Sequence, residues 1–487
     1  MIFFEDILLD CITEYIESQY GYRLQKNDII ISPTNKNFKG DFSLALFSLS
    51  KKIKKNPIDI AREIVDKILS THSDIIQEYN LTNGFLNIIL RKEYLLRVFN
   101  YICNNSFDNL ISKKNETIVI EFSSPNTNKP LHLGHIRNNV LGLSLSRLLE
   151  SAGNKVYKVN LVNDRGIHIC KSMLAWIKWG NGETPENSGM KGDKLVGKYY
   201  VLFENMLQEE IQNLPQEEKE GLSKQDIAKK TQLMKEAQEL LRKWEKGDEE
   251  VRKIWKMMNS WVYEGFDKTY KHLDITFDKI YYESDIYNKG KTIVEEAFLK
   301  NIFGKKEDGS IYVDLSEYNL DEKILLRADG TSVYITQDIG VAYERYHEYT
   351  PDRMIYVVGN EQNYHFEVLK TILKNKLNQK WADIIYHYSY GMVELPEGKM
   401  KSREGKVVDA DDLIEEMMIR AEERTKLLGK TEDLPPEQLY KLYFIIAIGA
   451  IKYYILKVAP EKNIMFNPEE SIDFDGNTAP FIQYTYA

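Results

Sequence analysis

The stretch from Glu121 to Asn138 constrains the fold more than any other part of the chain. Thr117 to Phe122 is a β-branched and apolar run of the kind that forms a buried parallel strand. A Pro-containing loop follows, and Val140, Leu141, Leu145, Leu148 and Leu149 then recur at helical spacing. The spacing predicts a strand, a loop and a helix opening at His132-Leu133-Gly134-His135. A helix N-terminus there offers free N–H groups and the positive end of the helix dipole, which suits a phosphate. Gly134 lets a flat base or ribose approach the backbone. The two imidazoles can donate hydrogen bonds to a phosphorus centre that gains charge in a transition state. A bare His-x-Gly-His string is equally compatible with an ordinary helix start, so its surroundings must decide.

Those surroundings read as an open α/β sheet. After the Ala152-Gly153 turn, Val156 to Val162 is a second parallel strand, giving a right-handed strand–helix–strand unit. Asn163-Asp164-Arg165-Gly166 sits at its carboxyl end, where such sheets bind ligands. The Gly-x-Gly-x-x-Gly fingerprint of dinucleotide folds is missing from this unit. Further on, Lys279 to Glu283 reads as a strand, Ile286 to Phe298 as a helix and Gly309-Ser310 as the lead into a hairpin. Asp329-Gly330 marks a turn before a strand over Val333 to Thr336, which passes into a helix near Asp338. Met354 to Val358 is another buried strand, ending in the run from Gly359 to His365.

The flanks differ from this core. Ile7, Leu8, Ile12 and Ile16 predict an amphipathic first helix, and Gly40-Asp41 leads into an apolar helix. A basic run, Lys51, Lys52, Lys54 and Lys55, follows; it reads either as a solvated helix end or as a nucleic-acid contact. Pro57 starts a helix with Ile60, Ala61, Ile64, Val65 and Ile68 on one face, and Asn83-Gly84 precedes a strand from Phe85 to Leu90. Between about 178 and 270 lies a charged helical tract broken by Pro215 and Gly221, most simply a helical hairpin without a chemical role. Near the end, Ala410 to Lys426 and a strongly apolar segment from Leu442 to Leu456 are helical.

Composition narrows the classes. No run of about 18 apolar residues is present, which argues against a membrane span. The first residues lack the basic flank of a secretory signal. Cys11, Cys103 and Cys170 are too scattered for a disulfide framework or a cysteine zinc site, so a reducing cytoplasm is expected. With a net charge of −9, any nucleic acid must be met by local basic faces.

Glu121-Phe122-Ser123-Ser124-Pro125-Asn126, joined to the run from Lys129 to Arg137, resembles the first signature of class I aminoacyl-tRNA synthetases in its arginyl-tRNA synthetase form. The resemblance extends along the chain and is most specific at 121–138, 334–338, 359–365 and 474–487. It implies an α/β fold: a Rossmann-like parallel-sheet catalytic core with an N-terminal α+β additional domain, a helical insertion and a truncated C-terminal α-helical segment. The implied boundaries are 1–112 for the tRNA-contacting additional domain, 113–177 and 271–408 for the catalytic halves, 178–270 for the insertion and 409–487 for the helical segment.

It further implies ATP-dependent attachment of L-arginine to tRNA(Arg) through an arginyl-adenylate, with Mg2+ accompanying ATP, by a cytoplasmic monomer. Arginine-binding positions would be Glu121, Asn126, Tyr334, Asp338 and Gln362, with Glu121 and Asp338 as the carboxylates for the guanidinium and their division of labour open. His132 and His135 would stabilise the α-phosphate, and Ser123 and Gly134 would contact ATP. The second class I signature departs from the family pattern, since Lys399-Met400-Lys401-Ser402-Arg403 replaces Lys-Met-Ser-Lys-Ser. Lys129 and Lys399 are then the pyrophosphate-binding candidates, with Lys401 in doubt. Two rivals stay open: a non-catalytic tRNA-binding relative, and an adenylylating enzyme of other specificity.

Overall fold

The structure, a computed structural model, describes residues 4–24, 28–82, 84–105, 114–395, 408–429 and 434–487. It divides into two units, Met1–Ser112 and Lys113–Ala487.

In the first unit α1 (Phe4–Tyr20) buries Leu8, Ile12 and Ile16 along one face. Strands β1 (Ile30–Pro33), β2 (Phe42–Ala45), β3 (Ile76–Thr82) and β4 (Phe85–Leu90) form an antiparallel sheet in the order β1-β2-β4-β3. Helix α3 (Pro57–Thr71) is capped by the Asn56 side chain and buries all five residues of the predicted face, and α4 (Lys92–Asn104) follows the sheet. The segment after Gly40-Asp41 is a strand, not a helix. Four residues carry too little periodicity to compete with the ladders that β1 and β4 offer on either side, and helix α2 (Phe47–Ile53) begins only afterwards. Within the basic run, Lys52 pairs with Asp28 and Lys55 with Glu63, so these two cations are held within the unit.

The second unit is built on a sheet that, among the described residues, has five parallel strands in the order β12-β11-β5-β6-β7. These are β5 (Thr117–Glu121), β6 (Lys155–Val162), β7 (Lys279–Tyr282), β11 (Arg353–Gly359) and β12 (Ile385–Tyr390). The order reverses beside β5, which makes its carboxyl end a switch point and a natural ligand crevice. Helix α5 (Leu133–Ser151) leads from β5 to β6, and α6 (Ile167–Trp179) follows β6. The insertion comprises α7 (Pro185–Ser188), α8 (Gly192–Asn213), α9 (Lys224–Lys230), α10 (Gln232–Glu245) and α11 (Glu249–His272). Its apolar faces continue the core beneath α5 and α6 through Phe203, Ala237, Trp261 and Phe266.

Helix α12 (Glu283–Leu299) starts directly on β7, one residue earlier than the strand reading allows, so Glu283 stands at the carboxyl edge of the sheet. A small antiparallel sheet of β8 (Gly304–Lys305), β9 (Ile311–Val313) and β10 (Lys323–Leu326) precedes α13 (Tyr334–Tyr349). The strand expected over Val333 to Thr336 is a helix instead. The turn at Asp329-Gly330 has already reversed the chain, Val333 is the extended N-cap, and the Thr336 hydroxyl donates to the Leu325 carbonyl at 2.5 Å. Helices α12 and α13 approach so closely at Gly290 and Gly340 that a Cβ on Gly290 would collide with the Thr336 carbonyl. That contact sets Glu283 against the start of α13.

Helix α14 (Asn363–Thr371) and the short strand β13 (Val393–Glu394) complete the sheet region. The chain ends in α15 (Ala410–Leu427), α16 (Pro436–Leu456), β14 (Ile464–Met465), α17 (Pro468–Ser471) and α18 (Ala479–Tyr486). Against the expectation from composition, α16 is long and apolar enough to cross a membrane, with a mean hydropathy of 1.5 over its most apolar window. It is instead a core helix, with Ile446, Ala447, Ala450, Ile451 and Ile455 buried in the same cluster as α5 and α15.

Candidate active site

The loop after β5 is held in a costly backbone. Ser123 and Ser124 both have positive φ, at 78° and 45°, a conformation worth roughly 1–3 kcal/mol of strain per residue. Neighbouring side chains over-determine it. The Ser123 amide donates to Asn138 Oδ1 at 2.5 Å and the Ser124 amide to Asn160 Oδ1 at 3.0 Å. Ser123 Oγ lies 2.6 Å from the buried Tyr270 hydroxyl. The hydroxyl expected to contact ATP is therefore engaged inside the protein.

Downstream of this loop, His132 is the N-cap of α5. Its Nδ1 accepts from the Gly134 amide at 3.1 Å, and His135 Nδ1 accepts from the His132 amide at 3.1 Å. Burial, aided by the Lys129 charge, lowers His132 to about 4; burial, then the charges of His132 and Lys129, lowers His135 well below its ordinary value. Two neutral rings whose Nδ1 atoms both accept must carry their protons on Nε2. Both imidazoles are thus neutral hydrogen-bond donors at physiological pH, 3.9 Å apart between ring centres. Burial also lowers Lys129, which makes no ion pair with any described residue.

Arg137, which the sequence reading quoted without a role, ties this helix to distant chain. It is fully buried and donates to the carbonyls of Met392 (2.6 Å), Pro460 (2.9 Å) and Lys462 (2.6 Å). On the other side, the Leu133 amide donates to the Val408 carbonyl and the Ala410 amide to the Leu131 carbonyl, both at 2.9 Å. The described residues on each side of 396–407 are therefore bonded to the first signature. Lys399 and Lys401 lie outside the described residues.

A cavity of about 700 Å³ opens at the carboxyl ends of β5, β6 and β7. Asn126 and Tyr334 line it, as do Asn163, Arg165, Glu245, Glu283, Tyr287 and Gln337. Tyr334 is 75% exposed in the first turn of α13, so it faces the opening and is not core. Asp338 lies one turn further along α13 and bonds His365 Nε2 at 2.5 Å. Gln362 is exposed in the short turn after β11, away from the cavity lining. Glu283 is largely buried. Burial raises its carboxyl to about 7, against the lowering effect of Arg165, with Asp164 and Asp338 adding to the rise.

Glu121 is engaged within the protein. Its carboxylate is paired with the guanidinium of Arg345, which is 1% exposed, and also accepts from Ser124 Oγ at 2.8 Å. It is not among the cavity residues. Of the three carboxylates in the cavity wall, Glu245 accepts from Arg165 and Asp329 from Thr331, whereas Glu283, which sequence reasoning absorbed into a strand, stands 3.8 Å from Arg165. The rule that ligands sit at strand carboxyl ends applied to Glu283 as well as to Asp164, and could have found it. Arg345 carried no such signal. The helical tract, expected to be chemically idle, contributes Gln238, Leu241, Arg242 and Glu245 to the cavity wall.

The Glu121–Arg345 pair yields a stability prediction. Arg345→Met leaves a buried carboxylate unpaired and should destabilise the larger unit by about 3–5 kcal/mol. Adding Glu121→Gln should recover most of that loss, as read by chemical denaturation. Equal stability of the single and double mutants would show that the pair is not coupled.

A Rossmann-like sheet whose switch point carries two neutral imidazoles on a helix N-terminus, beside a polar cavity at the strand ends, is the architecture of a class I aminoacyl-tRNA synthetase. Comparison with known proteins narrows this. Residues 98–467 match the family described as tRNA synthetases class I (R), catalytic domain, and residues 6–90 match the arginyl tRNA synthetase N terminal domain. The arginine–tRNA ligase of Parabacteroides distasonis is 52% identical over 474 residues, covering 97% of this chain and 79% of that protein. That of Bacteroides thetaiotaomicron is 51% identical over 486 residues, covering 99% and 80%. Among solved structures, Thermus thermophilus arginyl-tRNA synthetase superposes with a TM-score of 0.76 at 23% identity, over 99% of this chain and 80% of that one. The Plasmodium falciparum enzyme gives 0.71 at 20%, over 98% and 78%. The chain belongs to the arginyl-tRNA synthetase family.

Proposed function

We propose that this chain attaches L-arginine to tRNA(Arg) in two ATP-dependent steps. The arginine carboxylate attacks the α-phosphorus of ATP, the bond to pyrophosphate breaks, and arginyl-adenylate forms. A terminal ribose hydroxyl of the tRNA then attacks the arginyl carbonyl and AMP leaves. The observation that carries this reading, beyond family membership, is the pairing of two Nε2–H donors at the start of α5 with a cavity at the neighbouring strand ends that holds the largely buried Glu283.

In this reading the donors of His132 and His135 stabilise charge on the α-phosphate. The Lys129 ammonium, with Lys399, neutralises the departing pyrophosphate, and Gly134 leaves room for the nucleoside. Glu283 takes the arginine guanidinium in place of Glu121, with Asp338 near it, Tyr334 at the opening, and Asn126 and Gln362 on the polar groups of the amino acid. A planar guanidinium is best met by a carboxylate that offers its oxygens in plane.

Among the described residues no cluster of three or more His, Cys, Asp or Glu side chains converges on a metal position. In this reading Mg2+ would arrive on the ATP triphosphate. For the tRNA, the first unit has a pocket of about 490 Å³ with Phe38, Phe85, Asn35 and Asn87 in its wall, which suits a stacked and hydrogen-bonded base. The assembly proposed is a monomer. The free thiols of Cys11, Cys103 and Cys170 accord with a cytoplasmic location.

The test is arginine-dependent ATP–pyrophosphate exchange on the 487-residue chain, with tRNA present and lysine as control. Exchange with arginine and not lysine is the expected result. Silence with both, also on a chain extended to the length of its relatives, would sink the enzymatic reading and favour the tRNA-binding one.

A further inference from the structure

Arg165 is a cation built into the wall of the cavity. It follows β6 in the Asn163-Asp164-Arg165-Gly166 turn, and the turn is anchored from several directions. The Asp164 carbonyl accepts from Trp255 at 2.6 Å and from Asn259 at 3.3 Å, both on α11. Its buried carboxylate accepts from the Ser284 amide (2.9 Å), the Ser284 hydroxyl (2.7 Å) and the Tyr263 hydroxyl (2.9 Å). Gly166, at φ 99°, supplies the bend into α6.

From this fixed root the guanidinium reaches between two elements. It bonds Glu245 of α10 at 2.9 Å and stacks 4.1 Å over the ring of Tyr287 on α12, with the Trp244 ring 5.5 Å away. It stands 3.8 Å from Glu283, close enough for strong attraction but beyond hydrogen-bond reach. The acceptor sites of Glu283 thus remain open towards the cavity. Around Arg165 itself, Glu245 and Glu283 present two carboxylates to one guanidinium, while Arg242, Lys291 and Arg327 stand elsewhere in the cavity wall.

Resting on the reading of this cavity as the arginine slot, we propose that Arg165 is a positioning residue for substrate arginine: it aims and charge-balances the Glu283 carboxylate while leaving its oxygens free for the incoming guanidinium. Apart from Arg165, the charged groups acting most strongly on Glu283 are the carboxylates of Asp164 in the turn and Asp338 on α13, both of which oppose its ionisation. Lys291 on α12 and Arg327 beside Asp329 in the turn after β10 line the same cavity and act equally on every variant below. The phenol of Tyr263 is bound to Asp164, and its own ionisation is pushed far up by burial.

The experiment is arginine binding by calorimetry between pH 6 and 8.5 on the full chain and on Arg165→Met, Arg165→Lys and Glu283→Gln. In the unaltered protein affinity should rise with pH through about 7, as Glu283 ionises. Arg165→Met should move that rise upward by about one pH unit, giving binding about fivefold weaker at pH 7 and nearly tenfold weaker at pH 6, with the gap closing towards pH 8.5. Arg165→Lys keeps a cation and should stay near the original midpoint. Glu283→Gln should bind weakly and without a rise. A loss in Arg165→Met that is the same at every pH, or a lysine variant that behaves like the methionine one, would reduce Arg165 to packing and overturn the proposal. If Arg165→Met fails to fold, Arg165→Gln makes the same comparison at a more polar side chain. An unchanged profile in Glu283→Gln would show that the cavity is not the arginine slot, removing that assignment and this proposal together.

Discussion

Arginine is expected to be used on the order of 10⁴-fold more efficiently than citrulline, read as the ratio of kcat/KM in aminoacylation. Citrulline has nearly the shape of arginine but replaces the charged guanidinium with a neutral urea. In the cavity its carbonyl oxygen would face Glu283, which is largely buried, with Asp338 nearby. The carboxylate would lose its counter-charge and meet another acceptor, and an unpaired buried ion costs far more than a missing methylene. The preference should also depend on pH with a definite sign. Burial raises the Glu283 carboxyl to about 7, so the ionised form that attracts arginine gains between pH 6 and pH 8. The ratio should therefore grow over that interval. A ratio below about 100 at pH 8 would mean that shape, not charge, selects the substrate.

The second large effect concerns the imidazoles. His135→Ala and His132→Ala should each lower kcat for arginine-dependent pyrophosphate exchange by about 10²–10³-fold, with little change in the KM for arginine. Each ring has two jobs, because Nδ1 accepts a backbone amide in the capping box while Nε2 keeps the proton it can donate. Asparagine supplies both an acceptor and a donor, so His→Asn at either position should recover more rate than alanine. Burial lowers His132 to about 4 and holds His135 well below its ordinary value, so neither ring gains a proton between pH 6 and 8. Any pH dependence of the rate in that range should persist in the asparagine variants. A loss of less than about threefold in both alanine variants would remove the histidines from the chemistry.

Much of the core was legible because its determinants are local. Thr117–Glu121 is a β-branched apolar strand buried along all but its first residue, and Lys155–Val162 alternates β-branched or apolar with polar residues and is buried over its last four, a pattern with few other options. The helices α3 and α15 declare themselves by 3.6-residue periodicity and by Asn56 and Asp409 at their N-caps. Where a window was short or its own preference weak, partners decided. Phe42–Ala45 became a strand because β1 and β4 flank it, and the β-branched residues around Val333 became the start of α13 because the preceding turn had already closed the ladder.

The sequence by itself determined the strand–loop–helix that carries His132 and His135, since spacing along one continuous segment specifies it. It also located the carboxyl-edge motifs from which a site must be drawn. Only the tertiary structure decided how the charges are shared among them. Glu121 meets Arg345 across 224 residues, and Asn126 meets Glu283 at one cavity through the packing of α12 on α13. A carboxylate's partner is chosen by desolvation and distance in three dimensions, and nothing in the local chemistry of Glu121 or Glu283 says which one is already neutralised and which still has an oxygen to offer.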